Sequence, residues 1–342
     1  MKAKRLGVRL RPHIKTHKCI EAARLQTAGH DGAITVSTLE EARAFAANGF
    51  DDITYAVPIE RGKFAAAFAL MQRGVRLGLL TDDFATVGEL DIAAGNAGVR
   101  PGVFVKIDCG THRVGVEPAS EAAIMIPRLV SDAKHLEFAG ILTHAGHSYD
   151  VPTKEDILTV AHHERDVMVE HAEKLRGLGI EVPTVSIGST PTMSLVDDLT
   201  GIDEIRPGNY IFYDNFQATL GSCSFEDTAL TVLAAVIHVS DGKFVVDAGG
   251  IAMSKDRGPV GLDPSCGYGR VLDVDGSDTG MRLTSLSQEH GVIENNENLS
   301  FKVGDRLRIL ANHSCMTAAQ HTHYNVLENG EIVDRWKIHT GW

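Results

Sequence analysis

"AITVSTLEEARAFAANGFDDITYA", residues 33–56, holds one complete structural unit. AITV reads as a β-branched strand, TLEEARAFAANG carries helix formers at helical period and ends on glycine, and ITYA reads as the next strand. Outward from this unit the alternation continues from residue 8 to about 215. The strand-like runs are VRLRPHI, AITV, ITYA, VRLGLL, VFVKID, FAGILTH, VPTVSIG and IDEIR, with helical segments such as KEDILTVAHHERDVMVEHAEKLRGLG between them. Eight βα units predict a TIM-type (β/α)8 barrel rather than an open sheet. Past about residue 225 the texture changes. ALTVLAAVIHV, KFVVDAG, RLRILAN and HYNVLENGEIVDRWKI read as strands joined by turns, with ENGE as a hairpin tip. The expected organisation is a barrel over residues 1–220 followed by an all-β domain over 221–342.

Composition narrows the function. The 342 residues are 43% hydrophobic, and 33 Lys+Arg stand against 45 Asp+Glu for a net charge of -12. Such a surface repels phosphate backbones, so nucleic acid is not an expected partner. The basic start MKAKRLGVRLRPH has no apolar stretch behind it, and no later segment approaches a membrane span. A cytoplasmic protein is expected. Five cysteines without paired spacing argue against a disulfide framework.

In a barrel of this kind the chemistry sits where strands end, which singles out Lys15 at the close of the first run. Arg9, Arg11 and Lys18 crowd it in sequence, and nearby cations make an amine a better nucleophile. Charge crowding alone favours a solvated loop lysine. Other strand ends add company: Arg113 in DCGTHRVGV after the fifth run, and His144, His147 and Tyr149 in THAGHSYD after the sixth. The seventh and eighth runs end in IGSTPT and IRPGNY, whose glycines and hydroxyls match a barrel phosphate cup. A lysine opposite a phosphate cup suggests pyridoxal 5'-phosphate. In LANHSCMTA, His313 and Cys315 would share a face if the segment were a strand, giving a nitrogen and a sulfur donor suited to zinc. A packing pair is the other reading of that spacing. Asp247 and Lys255–Asp256 read as turn chemistry. Glu289 and His290 in SQEHG either orient a metal ligand or bind nothing. His13 and His17, two residues either side of Lys15, would lie on its face of an extended strand and are expected to be satisfied structural histidines.

Taken in order, RPHIKTHK, KIDCGTHRVGV, HAGHSY, GSTPT, RPGNYIFYD, DAGGIAMSKDRG, SQEHG and NHSC resemble the D-threonine aldolase and D-serine dehydratase family. The likeness runs from about residue 5 to the final RWKIHTGW. Its members are fold-type III pyridoxal phosphate enzymes, with an alanine-racemase-like barrel and a β domain. The resemblance implies that Lys15 carries the cofactor covalently, that Arg113 lies near its phenolic oxygen and Tyr149 near its ring. It implies that Gly188, Ser189, Thr190, Gly208, Asn209 and Tyr210 hold the phosphate, and that His313 and Cys315 hold a divalent metal, zinc or manganese. It also implies a homodimer and D-configured β-hydroxy amino acid substrates.

Two outcomes follow from that chemistry. With the cofactor as electron sink and a Lewis acid on the β-hydroxyl, loss of that hydroxyl gives a 2-oxo acid and ammonia, whereas Cα–Cβ cleavage gives glycine and an aldehyde. Dehydratases of the family resemble this chain in having H-x-C where aldolases have H-x-D, so dehydration of D-serine, D-threonine or D-3-hydroxyaspartate is the expected activity and aldol cleavage the alternative. An alanine-racemase type, a non-catalytic cofactor carrier and a cofactor-free lysine aldolase are the remaining rivals. Only 14 residues precede Lys15. Family members carry an earlier strand and helix, so a late start, a trimmed chain or an incomplete β domain with an exposed sheet edge is expected.

Overall fold

The stretch 33–56 folds as its pattern predicts, for reasons visible locally. Thr38 caps helix Leu39–Ala46 through the Glu41 amide while the Glu41 side chain returns to the Thr38 amide, a reciprocal capping box. Ala42 and Phe45 on that helix are buried against strand residues Ile34 and Ile53 in one core. The computed structural model describes residues 2–297 and 299–341; Met1, Asn298 and Trp342, and with them both outer limits of the expected domains, lie outside the described residues.

In chain order the parallel strands are β1 (Arg9–Leu10), β2 (Ile34–Val36), β3 (Asp52–Pro58), β4 (Arg76–Thr81), β5 (Gly102–Lys106), β6 (Glu137–Leu142), β7 (Val185–Ile187) and β8 (Glu204–Ile205). They form one curled sheet in the order β1-β8-β7-β6-β5-β4-β3-β2. The β1/β2 seam is closed by a bridge from His13 to Thr35, with the Thr35 amide on Pro12 O at 2.9 Å and its hydroxyl on Arg11 O at 3.0 Å. All eight strands are those the runs predict. Apolar side chains such as Ile53, Leu79, Val103, Ile141 and Val185 bury fully and drive closure, each contributing about 1.5–3 kcal/mol.

Beyond the barrel, β9 (Thr231–Ser240), β10 (Lys243–Val246), β11 (Gly269–Leu272), β12 (Asp278–Leu286), β13 (Gly291–Glu294) and β14 (Arg306–Ala311) close a small antiparallel barrel in the order β10-β13-β12-β11-β14-β9. Its closure leaves no open edge in that ring; open edges remain on the two-stranded sheet that follows it. A final hairpin, β15 (His323–Glu328) and β16 (Glu331–Lys337), turns at Asn329 and Gly330, both at positive φ (52° and 84°), which is the ENGE tip. No described helix is long and apolar enough to cross a membrane.

Candidate active site

Lys15 stands just beyond the end of β1, on a tight turn over Ile14–Thr16. His13 starts the turn, its Nδ1 accepting from the Lys15 amide at 3.4 Å. From the far side Gly208 presses so close that a Cβ there would meet His13 O at 2.7 Å. Because the chain leaves the sheet at this turn, His13, Lys15 and His17 do not share a strand face, contrary to the extended-strand expectation. His17 is fully buried, accepting from the Cys19 amide at 3.0 Å and donating to Gln26 Oε1 at 2.9 Å, as a structural histidine does. Lys18, at φ 50°, ties its ammonium to the buried carboxylate of Glu41.

The charge environment of Lys15 also differs from the one its sequence neighbours suggest. Arg9 and Arg11 turn to Asp52 and Glu204 at the starts of β3 and β8, away from the strand ends. Burial is what chiefly lowers the Lys15 pKa; the Cys315 thiol opposes, and Arg113 reinforces it. Amine chemistry at this position is therefore favoured by desolvation more than by crowding.

Arg113 lies exposed on the loop after β5, which Asp108 folds by accepting from the Gly110, Thr111 and His112 amides. Tyr149 ends a turn after β6 and packs edge-on to Phe216 at 5.6 Å; burial raises its pKa. His144 donates Nδ1–H to Gly188 O at 3.0 Å, which leaves Nε2 bare, and burial beside Lys15 holds it neutral.

At the ends of β7 and β8 the expected phosphate cup is partly spoken for. The Gly188 amide donates to buried Glu164 at 3.0 Å and the Ser189 amide to Thr192 Oγ1 at 3.2 Å, while Ser189 Oγ pairs with Ser148 Oγ at 2.9 Å. What remains is Thr190 Oγ1, buried without a hydrogen-bond partner in the chain, and the first-turn amides of Thr190, Asn209 and Tyr210, which have no helical carbonyl to meet. The Asn209 side chain reaches Asp214 and Ser314 instead, and the Tyr210 hydroxyl turns to Gln26.

His313 and Cys315 come together, though not as strand neighbours. β14 ends at Ala311, His313 precedes helix Ser314–Ala318 and Cys315 lies on its first turn, so a strand-to-helix corner, not i,i+2 alternation, makes the pair. His313 Nδ1 donates to Asp256 Oδ2 at 2.6 Å, leaving Nε2 for an ion. Burial alone would lower the His313 pKa, but Asp256 and then Cys315 outweigh it and raise it to about 10. Cys315 is pulled below the usual thiol range against its burial, by His313 first and then Lys15. Two donors that already share a proton suit a divalent cation in its place. Among the described residues no set of three or more His, Cys, Asp or Glu is arranged for a metal, so an ion here would keep positions open for water and substrate.

Asp256 is the orienting carboxylate, from SKDRG, where turn chemistry was expected; it serves both, its Oδ1 accepting from the Gly258 amide at 2.7 Å. Glu289 and His290 are exposed and take no part in orienting His313. Asp247 accepts from the Ala235 amide at 2.8 Å, the structural role expected. Two buried cations went unmarked: Lys106 closing β5, brought to about 7 by burial and then Arg206, and Arg206 after β8, brought to about 10 by burial. Their signal was a charged residue at an inward strand end in VFVKID and IDEIR. With Lys15 they surround His144, and Cys315 Sγ lies 3.2 Å from Thr16 Oγ1, one residue from the lysine.

Residues 1–215 match the family of the alanine racemase N-terminal domain, and residues 229–327 that of the putative serine dehydratase domain. The chain is 40% identical to a D-threo-3-hydroxyaspartate dehydratase of Delftia sp. (strain HT23), over 98% of this chain and 91% of that one. It is 36% identical to a D-serine dehydratase of Dictyostelium discoideum, over 100% and 92% of the two chains. The solved structure of the Delftia enzyme superposes with a TM-score of 0.95 at 39% identity, covering 100% of this chain and 93% of its own. Similar structures also include a D-threo-3-hydroxyaspartate dehydratase with a histidine replaced by alanine, and one with a cysteine two positions further on replaced by alanine, the latter in a metal-free form. A D-threonine aldolase from Filomicrobium marinum superposes with a TM-score of 0.85 at 28% identity, over 98% and 89% of the two chains. Matched over both domain families and along 98% or more of its length, the chain belongs to the D-serine dehydratase and D-threonine aldolase family of lyases, alanine-racemase-like barrels joined to a dehydratase-type β domain.

Proposed function

We propose that this lyase dehydrates D-β-hydroxy-α-amino acids, D-serine, D-threonine or D-3-hydroxyaspartate, to a 2-oxo acid and ammonia, using pyridoxal 5'-phosphate held at Lys15 and a divalent ion, zinc or manganese, held by His313 and Cys315. The observation that carries this reading is the contact of Cys315 with Thr16, the residue after Lys15, which joins the histidine–cysteine corner to the lysine turn although 299 positions separate them in sequence. When bound, the cofactor supplies an electron sink for charge at the substrate Cα, and the ion a Lewis acid for its β-hydroxyl.

The chain's own residues do the rest. Lys15 Nζ, whose pKa burial lowers, would hold the cofactor and serve as the base for the Cα proton. Thr190 Oγ1 and the amides of Asn209 and Tyr210 are free to donate to phosphate, and Lys106, Arg113 and Arg206 balance the charge of cofactor and substrate. Gly188, Ser189 and Gly208 shape that cup by close backbone approach rather than by free amides. Tyr149 walls it beside Phe216. Asp256 fixes the His313 tautomer, so that Nε2 would be the nitrogen to hold the ion. Aldol cleavage to glycine and an aldehyde is the second reading, supported by His13 and His144, both held neutral by burial and able to take a hydroxyl proton. A homodimer belongs to the proposal, supported by exposed Leu327, Ile332 and Val333 on the β15–β16 hairpin; cytoplasmic placement rests on the five unpaired cysteines.

Release of pyruvate and ammonia from D-serine tests the reading. It is expected from protein loaded with cofactor and zinc, to vanish on chelation and to return with metal; turnover indifferent to chelator would contradict the ion's role.

A further inference from the structure

Asp214 closes the motif RPGNYIFYD, and nothing so far gives it a task. It is 1% exposed and lies between the β8 exit and the His313–Cys315 corner. Its Oδ1 accepts from the Gln217 amide at 2.9 Å and caps helix Asn215–Leu220. Its Oδ2 accepts three further bonds: from Asn209 Nδ2 at 2.7 Å, from the Ser314 amide at 2.9 Å and from Ser314 Oγ at 3.2 Å. Asn209 Nδ2 also donates to Ser314 Oγ at 3.1 Å and lies 3.7 Å from Cys315 Sγ.

A helix cap needs only the first of these bonds, and serine or asparagine would make it. A buried carboxylate is a costly way to cap, since burial works against its charged form. The second oxygen earns its place elsewhere: it joins a residue of the phosphate-side loop to the residue between the two metal donors. We propose that Asp214 is a positioning residue that fixes the metal corner against the cofactor loop, so that ion and cofactor each strengthen the binding of the other. The inference rests on the assignment of His313, Cys315 and the Asn209 loop made above. Coupling of this kind is reciprocal, and couplings between sites commonly lie at about 5–150-fold.

The test is zinc affinity, measured by competition with a chromogenic chelator on the protein with and without bound pyridoxal phosphate. Wild type is expected to hold zinc at least about 5-fold more tightly when the cofactor is present. D214N keeps the helix cap but loses the charge, and should bind zinc about 10–100-fold more weakly with the cofactor effect gone. S314A removes one of the three bonds and should fall between the two, which keeps the test decisive where D214N does not fold. Equal zinc affinity in wild type with and without cofactor, or wild-type values in both variants, overturns the inference while leaving the metal assignment intact. Wild-type protein that binds no zinc overturns the metal assignment itself, and this inference with it.

Discussion

Cys315 and Lys15 sit at opposite ends of the chain yet share Thr16 as neighbour, and each shifts the other's protonation. Lys15 is expected to be the point of covalent attachment: borohydride reduction followed by peptide mass spectrometry should place the cofactor's mass on the peptide carrying Lys15, and K15A should carry none. A labelled K15A, or a label on another lysine such as Lys106, would move the assignment. Asp256 acts through His313, and D256N should weaken zinc binding by about 10–100-fold while shifting the thermal midpoint little. Unchanged zinc affinity would leave Asp256 as turn chemistry only. At this scale the sequence showed which residue types met but not how they were oriented. Lys15, His313 and Cys315 were singled out by strand-end position and by the family resemblance, since spacing alone left a loop lysine and a packing pair open; Lys106 and Arg206 were missed and Asp256 was read as a turn residue, because their surroundings lie in burial and direction, which spacing does not encode.

Among the elements, the turn that bears Lys15 is held by contacts too close for side chains. A methyl at Gly208 would stand 2.7 Å from His13 O, so G208A must displace that turn. Overpacking of this kind commonly costs about 1–3 kcal/mol, and the expected result is a lowered thermal midpoint together with weaker pyridoxal phosphate binding, read by equilibrium dialysis. Wild-type cofactor affinity in G208A would show that the turn does not depend on the contact. The parallel strands and the long helices were legible because their patterns are strong and their apolar faces are buried. β11 and β13 are four residues each and, like β12, carry glycine or hydroxyl residues and bulged pairing, so their period is weak. The same weakness hid the corner after β14, where helix Ser314–Ala318 replaced the extended strand expected for His313 and Cys315.

Over the whole molecule, closure of the large barrel depends on a short seam, because β1 pairs with β8 at only two positions and meets β2 through one bridge. Arg9 and Arg11 reinforce it by joining Asp52 and Glu204. Burial tends to raise the Asp52 pKa, but Arg11 and Arg9 hold it below its ordinary 3.8. A depressed carboxyl of this kind stabilises the fold above its unfolded pKa, and that contribution is lost as pH falls through the lower folded value. D52N should therefore cost about 1.5–3 kcal/mol at pH 7 by urea unfolding, with the gap to wild type closing below pH 3.8. A gap that stays constant with pH would assign the loss to packing instead. Fold class was legible at this scale from alternation alone, whereas the cluster that seals the ring was misread as crowding around Lys15, since neighbours in sequence on a strand reach different ends of a barrel.

The most direct measurement is product analysis from D-threonine with purified protein, pyridoxal phosphate and zinc, because this one substrate separates loss of the β-hydroxyl from cleavage of the Cα–Cβ bond. Dehydration predicts 2-oxobutanoate and ammonia in equal amounts, with no acetaldehyde. Glycine and acetaldehyde would contradict it and make the chain an aldolase built on a histidine–cysteine metal corner.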